Sequence, residues 1–63
     1  MKLEELLEVI NDNAIVEIYK DTELVSVNDG KDSIDEQYNE YIVEDVYASE
    51  NKVCIEIYSD YAG

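Results

Sequence analysis

The chain has 63 residues, with 17 Asp or Glu against four Lys and no Arg or His, giving a formal net charge of −13 at pH 7. Such an excess repels phosphate backbones and anionic bilayers, so direct nucleic-acid binding and polybasic membrane binding are excluded and a basic partner is expected. Hydrophobic residues still make up 46%, too many for a disordered acidic tail, and the expectation is one folded domain over residues 1–63. A domain this small buries only about 60% of the surface its unfolded chain exposes, which argues against a deep substrate cleft. The single Cys54 cannot form an internal disulfide, and no signal-peptide pattern or membrane-length apolar run is visible, so the expected compartment is the cytoplasm.

The first element runs from about Lys2 to Asn11, where Leu3, Leu6, Leu7 and Ile10 fall on one helical stripe and Glu4, Glu5 and Glu8 take the wet side. Asn11-Asp12-Asn13 is its stop signal. From Ala14 to Lys20 the pattern turns β-rich, with Ala14, Val16 and Ile18 on one side and Ile15, Glu17 and Tyr19 on the other. The polar Lys20-Asp21-Thr22-Glu23 then connects to a short strand, Leu24 to Val27, most simply as an antiparallel hairpin. Asn28 to Asp32 breaks that strand with turn chemistry.

Ser33 followed by Glu36 fits a capping box, and Ile34, Tyr38 and Tyr41 fall at helical spacing, which predicts a helical turn or two from Ile34 to about Asn39. Two further strands follow, Tyr41 to Ala48 and Lys52 to Tyr58. The second points Val53, Ile55 and Ile57 inward and Cys54, Glu56 and Tyr58 outward. The predicted fold is therefore α+β in αββαββ order: a four-stranded antiparallel sheet with the N-terminal helix on one face.

Little catalytic chemistry is available to this composition. There is no His for acid–base work, and a Cys/His or Ser/His/Asp arrangement is excluded outright. Cys54 reads as a small strand residue whose neighbours Glu56 and Tyr58 raise rather than lower a thiol pKa. Carboxylate pairs such as Asp35/Glu36 and Glu44/Asp45 are expected by chance among 17 acids, and a glycosidase mechanism needs a cleft between them. Asp29, Asp32, Asp35 and Glu36 crowd around Gly30, but a calcium loop built on Gly30 places Val25 and Val27 at its first and third ligand positions. No catalytic residue, cofactor or specific metal site is predicted.

The feature above background is charge combined with tyrosine, since all six aromatic residues are Tyr and all are interleaved with acids. On strand parity Glu17 shares a side with Tyr19, Asp45 with Tyr47, and Glu56 with Tyr58. A sheet surface with carboxylates beside flat amphipathic rings suits protein binding, because the ring contributes area and the hydroxyl a hydrogen bond. The plain alternative is that Tyr is a good strand residue with a wet tip. The candidate partner-binding residues are thus Glu17, Tyr19, Asp45, Tyr47, Glu56 and Tyr58, with the loop acids Asp29, Asp32, Asp35 and Glu36.

In size, charge, scarcity of cations and α+β pattern over its whole length, the chain resembles the small acidic inhibitors encoded by phages and mobile elements, the DNA-mimicking anti-restriction and anti-CRISPR proteins. The resemblance carries no diagnostic motif and transfers no functional residue. It implies stoichiometric inhibition in a bacterial cytoplasm, with carboxylates standing in for phosphates in the basic groove of a nucleic-acid enzyme such as a CRISPR effector nuclease, and tyrosines as desolvated anchors. A reading from a different class is an acidic assembly module that adds an exposed sheet edge to a basic protein or, as a homodimer, to a copy of itself.

Overall fold

A computed structural model describes the backbone of residues 1–61 and the side chains of residues 1–58. Helix α1 spans Leu3–Leu7, with the Glu5 carboxylate accepting from the Lys2 backbone N–H at 2.8 Å. It is shorter than the expected stretch to Asn11. Beyond Leu7 the chain tightens into i→i−3 turns, Val9 N–H to Leu6 O and Ile10 N–H to Leu7 O. The Lys31 ammonium donates to the Leu7 carbonyl at 2.8 Å and satisfies one of the helix's terminal acceptors.

Four strands follow: β1 (Ile15–Lys20), β2 (Glu23–Asp29), β3 (Tyr41–Ser49) and β4 (Lys52–Tyr61). The two hairpins β1–β2 and β3–β4 form as expected. The sheet order is β2-β1-β4-β3, however, and its central pair β1/β4 is parallel, so the sheet is mixed and the expected all-antiparallel arrangement is wrong. The reason is the connection from Gly30 to Glu40. It returns along the length of the sheet before β3 begins, so β2 and β3 run in the same direction and the hairpins dock side by side through β1 and β4.

The helix expected in that connection is also replaced, by two 3-10 turns, Lys31–Ser33 and Glu36–Tyr38. Ser33 does not cap. Its hydroxyl donates back to the Gly30 carbonyl at 2.9 Å, and it is Asp35 that caps the second turn, accepting from Gln37 N–H at 3.0 Å. Gly30 is required where it stands: its φ is +97°, and a Cβ there would lie 3.1 Å from the Asp12 carbonyl oxygen.

The core lies between the sheet and the side covered by α1 and the connection. Leu3, Val16, Ile18, Ile55 and Ile57 are fully buried in one cluster, with Leu6, Leu7, Ile34 and Tyr38 packed around it. Each such aliphatic side chain contributes about 1.5–3 kcal/mol by leaving water. Among the described residues no element covers the opposite side of the sheet. Among the described residues no helix is long and apolar enough to cross a membrane.

Candidate interaction face

Strand register assembles the uncovered face row by row. Tyr47 of β3 stands opposite Cys54 of β4, Cys54 opposite Glu17 of β1, and Glu17 opposite Val27 of β2. The next row is Asp45, Glu56, Tyr19 and Leu24. Tyr58 follows Glu56 on the same side by alternation. Six of the predicted residues, Glu17, Tyr19, Asp45, Tyr47, Glu56 and Tyr58, are thereby brought together, from β1 of the first hairpin and from both strands of the second.

The centre of this face is not solvated, contrary to what parity suggests. Glu17 is only 8% exposed and Cys54 only 2%, because the long side chains around them roof the sheet. Buried carboxylates need partners, and Glu17 has three. The Tyr19 hydroxyl donates to its Oε1 at 2.9 Å, the Lys52 ammonium to its Oε2 at 3.1 Å, and the Cys54 thiol lies 3.7 Å from Oε1. The Tyr19 hydrogen bond, followed by that from Lys52, holds the Glu17 carboxyl below the usual carboxylate range. The same bond pushes the Tyr19 phenol up to about 12. Burial first, and the Glu17 charge second, push the Cys54 thiol up, so it keeps its proton and is a poor nucleophile.

One end of the face opens into a shallow depression of about 580 Å³ lined by Asp21, Thr22, Glu44, Asp45 and Glu56. Two local irregularities build it. A register shift in β3 between Val43 and Asp45 sets both Glu44 and Asp45 against Glu56. The two-residue β1–β2 turn holds Asp21 and Thr22 at φ of 55° and 64°, and the Thr22 N–H donates to Glu56 Oε1 at 2.9 Å, tying that turn to β4. Non-glycine residues, above all β-branched Thr, seldom occupy this left-handed region. Among the described residues no group of three or more carboxylates and thiols is placed to hold a metal ion.

None of the four lysines serves this depression. Lys2 pairs with Glu40 at 2.9 Å, Lys31 with Asp12 at 3.2 Å and Lys52 with Glu17 at 3.1 Å. Lys20 lies over the Tyr41 ring, 5.5 Å from its centroid. The remaining predicted residues stand apart from the cluster. Asp29 sits opposite Ile15 at the margin of the sheet. Asp32, Asp35 and Glu36 are exposed along the connection, whose Ile34 and Tyr38 pack on the core side. Residue-by-residue reading missed Asp21, Thr22 and Glu44 as lining residues and Lys52 as the cation on Glu17. A strand bulge and a hairpin docked through parallel pairing leave no local signature, so nothing in the spacing marks these four.

The chain matches no protein-family model, and neither a curated protein nor a solved structure shows significant similarity to it.

Proposed function

We propose that the protein is a non-enzymatic inhibitor whose open sheet face occupies a basic nucleic-acid-binding groove, with an RNA-guided nuclease as the intended target. The observation that carries this reading is the uncompensated group of Asp21, Glu44, Asp45 and Glu56 beside the half-exposed rings of Tyr47 and Tyr58, in a chain whose every lysine is engaged elsewhere. Such a face offers anions at fixed spacing on a sheet, as a phosphate backbone offers them on a helix, and aromatic area to anchor them. Attraction between this face and a Lys/Arg groove accelerates encounter and falls with ionic strength.

The test is capture of nucleic-acid enzymes from a bacterial lysate on the tagged protein, at two salt concentrations, with and without excess duplex DNA or guide RNA. The expected result is a nuclease released both by nucleic acid and by salt, and inhibited in a cleavage assay at stoichiometric amounts of the protein. Capture of a partner indifferent to nucleic acid overturns the reading.

A second reading, an assembly module, is favoured by the outer edge of β3. Met1 O accepts from Val43 N–H at 2.9 Å and Lys2 bridges to Ile42, so the N-terminal residues cover the start of that edge and leave Glu44–Ser49 open to a further strand. A partner retained at high salt and lost on substitution along Glu44–Ser49 is the outcome that selects it.

A further inference from the structure

The two central rows of the open face differ in one respect. In the row of Tyr47, Cys54 and Glu17, the carboxylate is neutralised from within by Lys52. In the row of Asp45, Glu56 and Tyr19, two carboxylates stand directly opposite each other across β3 and β4. Neither has a cation among the described residues. Like charges directly opposite on a sheet destabilise it. Each carboxylate is steadied by one oxygen only, Asp45 Oδ1 by Val46 N–H at 2.9 Å and Glu56 Oε1 by Thr22 N–H at 2.9 Å. The second oxygen of each has no hydrogen-bond donor among the described residues. Tyr47 and Tyr58 stand two residues along the same strands on the same side and are 47% and 49% exposed.

We propose that this unpartnered face binds arginine side chains of a basic protein in preference to lysine, a guanidinium bridging Asp45 and Glu56 and lying against the ring of Tyr47 or Tyr58. This rests on the docking role of the face in the inhibitor reading and names the partner chemistry within it. A guanidinium is planar, presents five N–H donors in a fork, stacks on aromatic faces and is weakly hydrated. It can therefore donate to two carboxylates at once while its plane contacts a ring. An ammonium is a compact, strongly hydrated point charge that meets one requirement at a time. A second copy of the chain cannot supply the ligand, because the sequence contains no arginine and each copy carries a net charge of −13.

The experiment titrates the isotope-labelled full chain with hexa-arginine and with hexa-lysine peptides at about 0.15 M salt, where charges on the surface are screened beyond about 8 Å. Amide shifts locate the site and calorimetry gives the affinities. The expected result is hexa-arginine binding at least about 10-fold tighter, from the bidentate and cation–π contributions, with shifts centred on Asp45, Tyr47, Glu56 and Tyr58. Asp45→Asn and Glu56→Gln should lose that preference and yet raise the melting temperature, since each removes a like-charge repulsion. A purely structural pair gives the opposite sign of stability change. Equal affinities of the two peptides at this face overturn the arginine preference while leaving nucleic-acid mimicry standing. Shifts centred on Asp32, Asp35 and Glu36 overturn the site itself. Arginine selectivity at this face without any nuclease in the lysate capture overturns the inhibitor reading and supports the arginine site.

Discussion

On the helix side of the sheet, Val16, Ile18, Ile55 and Ile57 are inaccessible because another element covers them. On the open side, Glu17 and Cys54 are nearly as inaccessible, although no element among the described residues covers that side. There the burial comes from neighbouring strand side chains, and the groups buried are polar. The first kind of burial is an apolar transfer term that salt and pH hardly touch. The second survives only while a carboxylate, a phenol and an ammonium keep their protonation states, so the two faces answer different perturbations.

The largest effect belongs to the apolar side. Ile18→Ala removes a fully buried side chain from the middle of the core, opposite Ile55, and should lower the unfolding free energy by about 2–5 kcal/mol. Against a total stability of about 5–15 kcal/mol for a domain, that brings the protein close to unfolding, and urea titration followed by circular dichroism measures it. A loss below about 1 kcal/mol, typical of a surface position, would contradict the packing described.

The polar side is separated from the core by pH. Because the folded pKa of Glu17 is depressed below its ordinary 4.5, its contribution to stability is fully present above that value and is lost as pH falls through the lower folded value. The Tyr19 phenol is raised from 10.0 to about 12, so its contribution is complete below pH 10 and is lost as pH rises from there through the folded value. Glu17→Gln should therefore be less stable than the parent at neutral pH and converge with it in acid, and it should lower the alkaline titration of one tyrosine, the part of the shift due to burial remaining. Thermal melts across pH and the ultraviolet absorbance of tyrosinate read the two halves. A constant stability difference from pH 7 into strong acid would mean that Glu17 acts through its shape alone.

The contrast between the faces also explains what could be read from residue order. Period-two alternation placed Val16, Ile18, Ile55 and Ile57 inward and gathered Glu17, Tyr19, Tyr47 and Glu56 on the other side, because alternation is a property of each strand by itself. It could not report that the roofed centre of that side excludes water, since the roof comes from three strands. The parallel β1/β4 pairing was equally hidden, as it depends on where an irregular connection of two 3-10 turns delivers the chain. Ser33 and Glu36 had the letters of a capping box, but Ser33 turned back to Gly30 and Asp35 took the capping role. Short polar motifs in a tight connection have several local hydrogen bonds to choose from.

The smallest expected effect tests whether acidity alone makes an interface. The connection carries Asp32, Asp35 and Glu36, as many carboxylates as Glu44, Asp45 and Glu56 contribute to the depression. They lack the latter's fixed placement: they stand on 3-10 turns and their flanks, with the rings of Tyr47 and Tyr58 on the opposite side of the sheet. Reversing Asp32, Asp35 and Glu36 to Lys should act on a partner seated at the open face only through long-range potential, which is screened over about 10 Å at 0.1 M salt and about 3 Å at 1 M. Binding should weaken by roughly the few-fold typical of a rim charge, mostly in association rate, and recover relative to the parent as salt is raised. Reversing Asp45 and Glu56 instead should raise the dissociation rate and leave a deficit that salt does not erase, because the proposed contact is built on those groups. Surface-captured kinetics with the folded variants against whatever nuclease the lysate capture yields, at both salt concentrations, distinguish the two. If the connection variant carried the persistent loss and the open-face variant the salt-sensitive one, the docking surface would lie on the helix side, and the tyrosines of the open face would be strand residues with wet tips and nothing more.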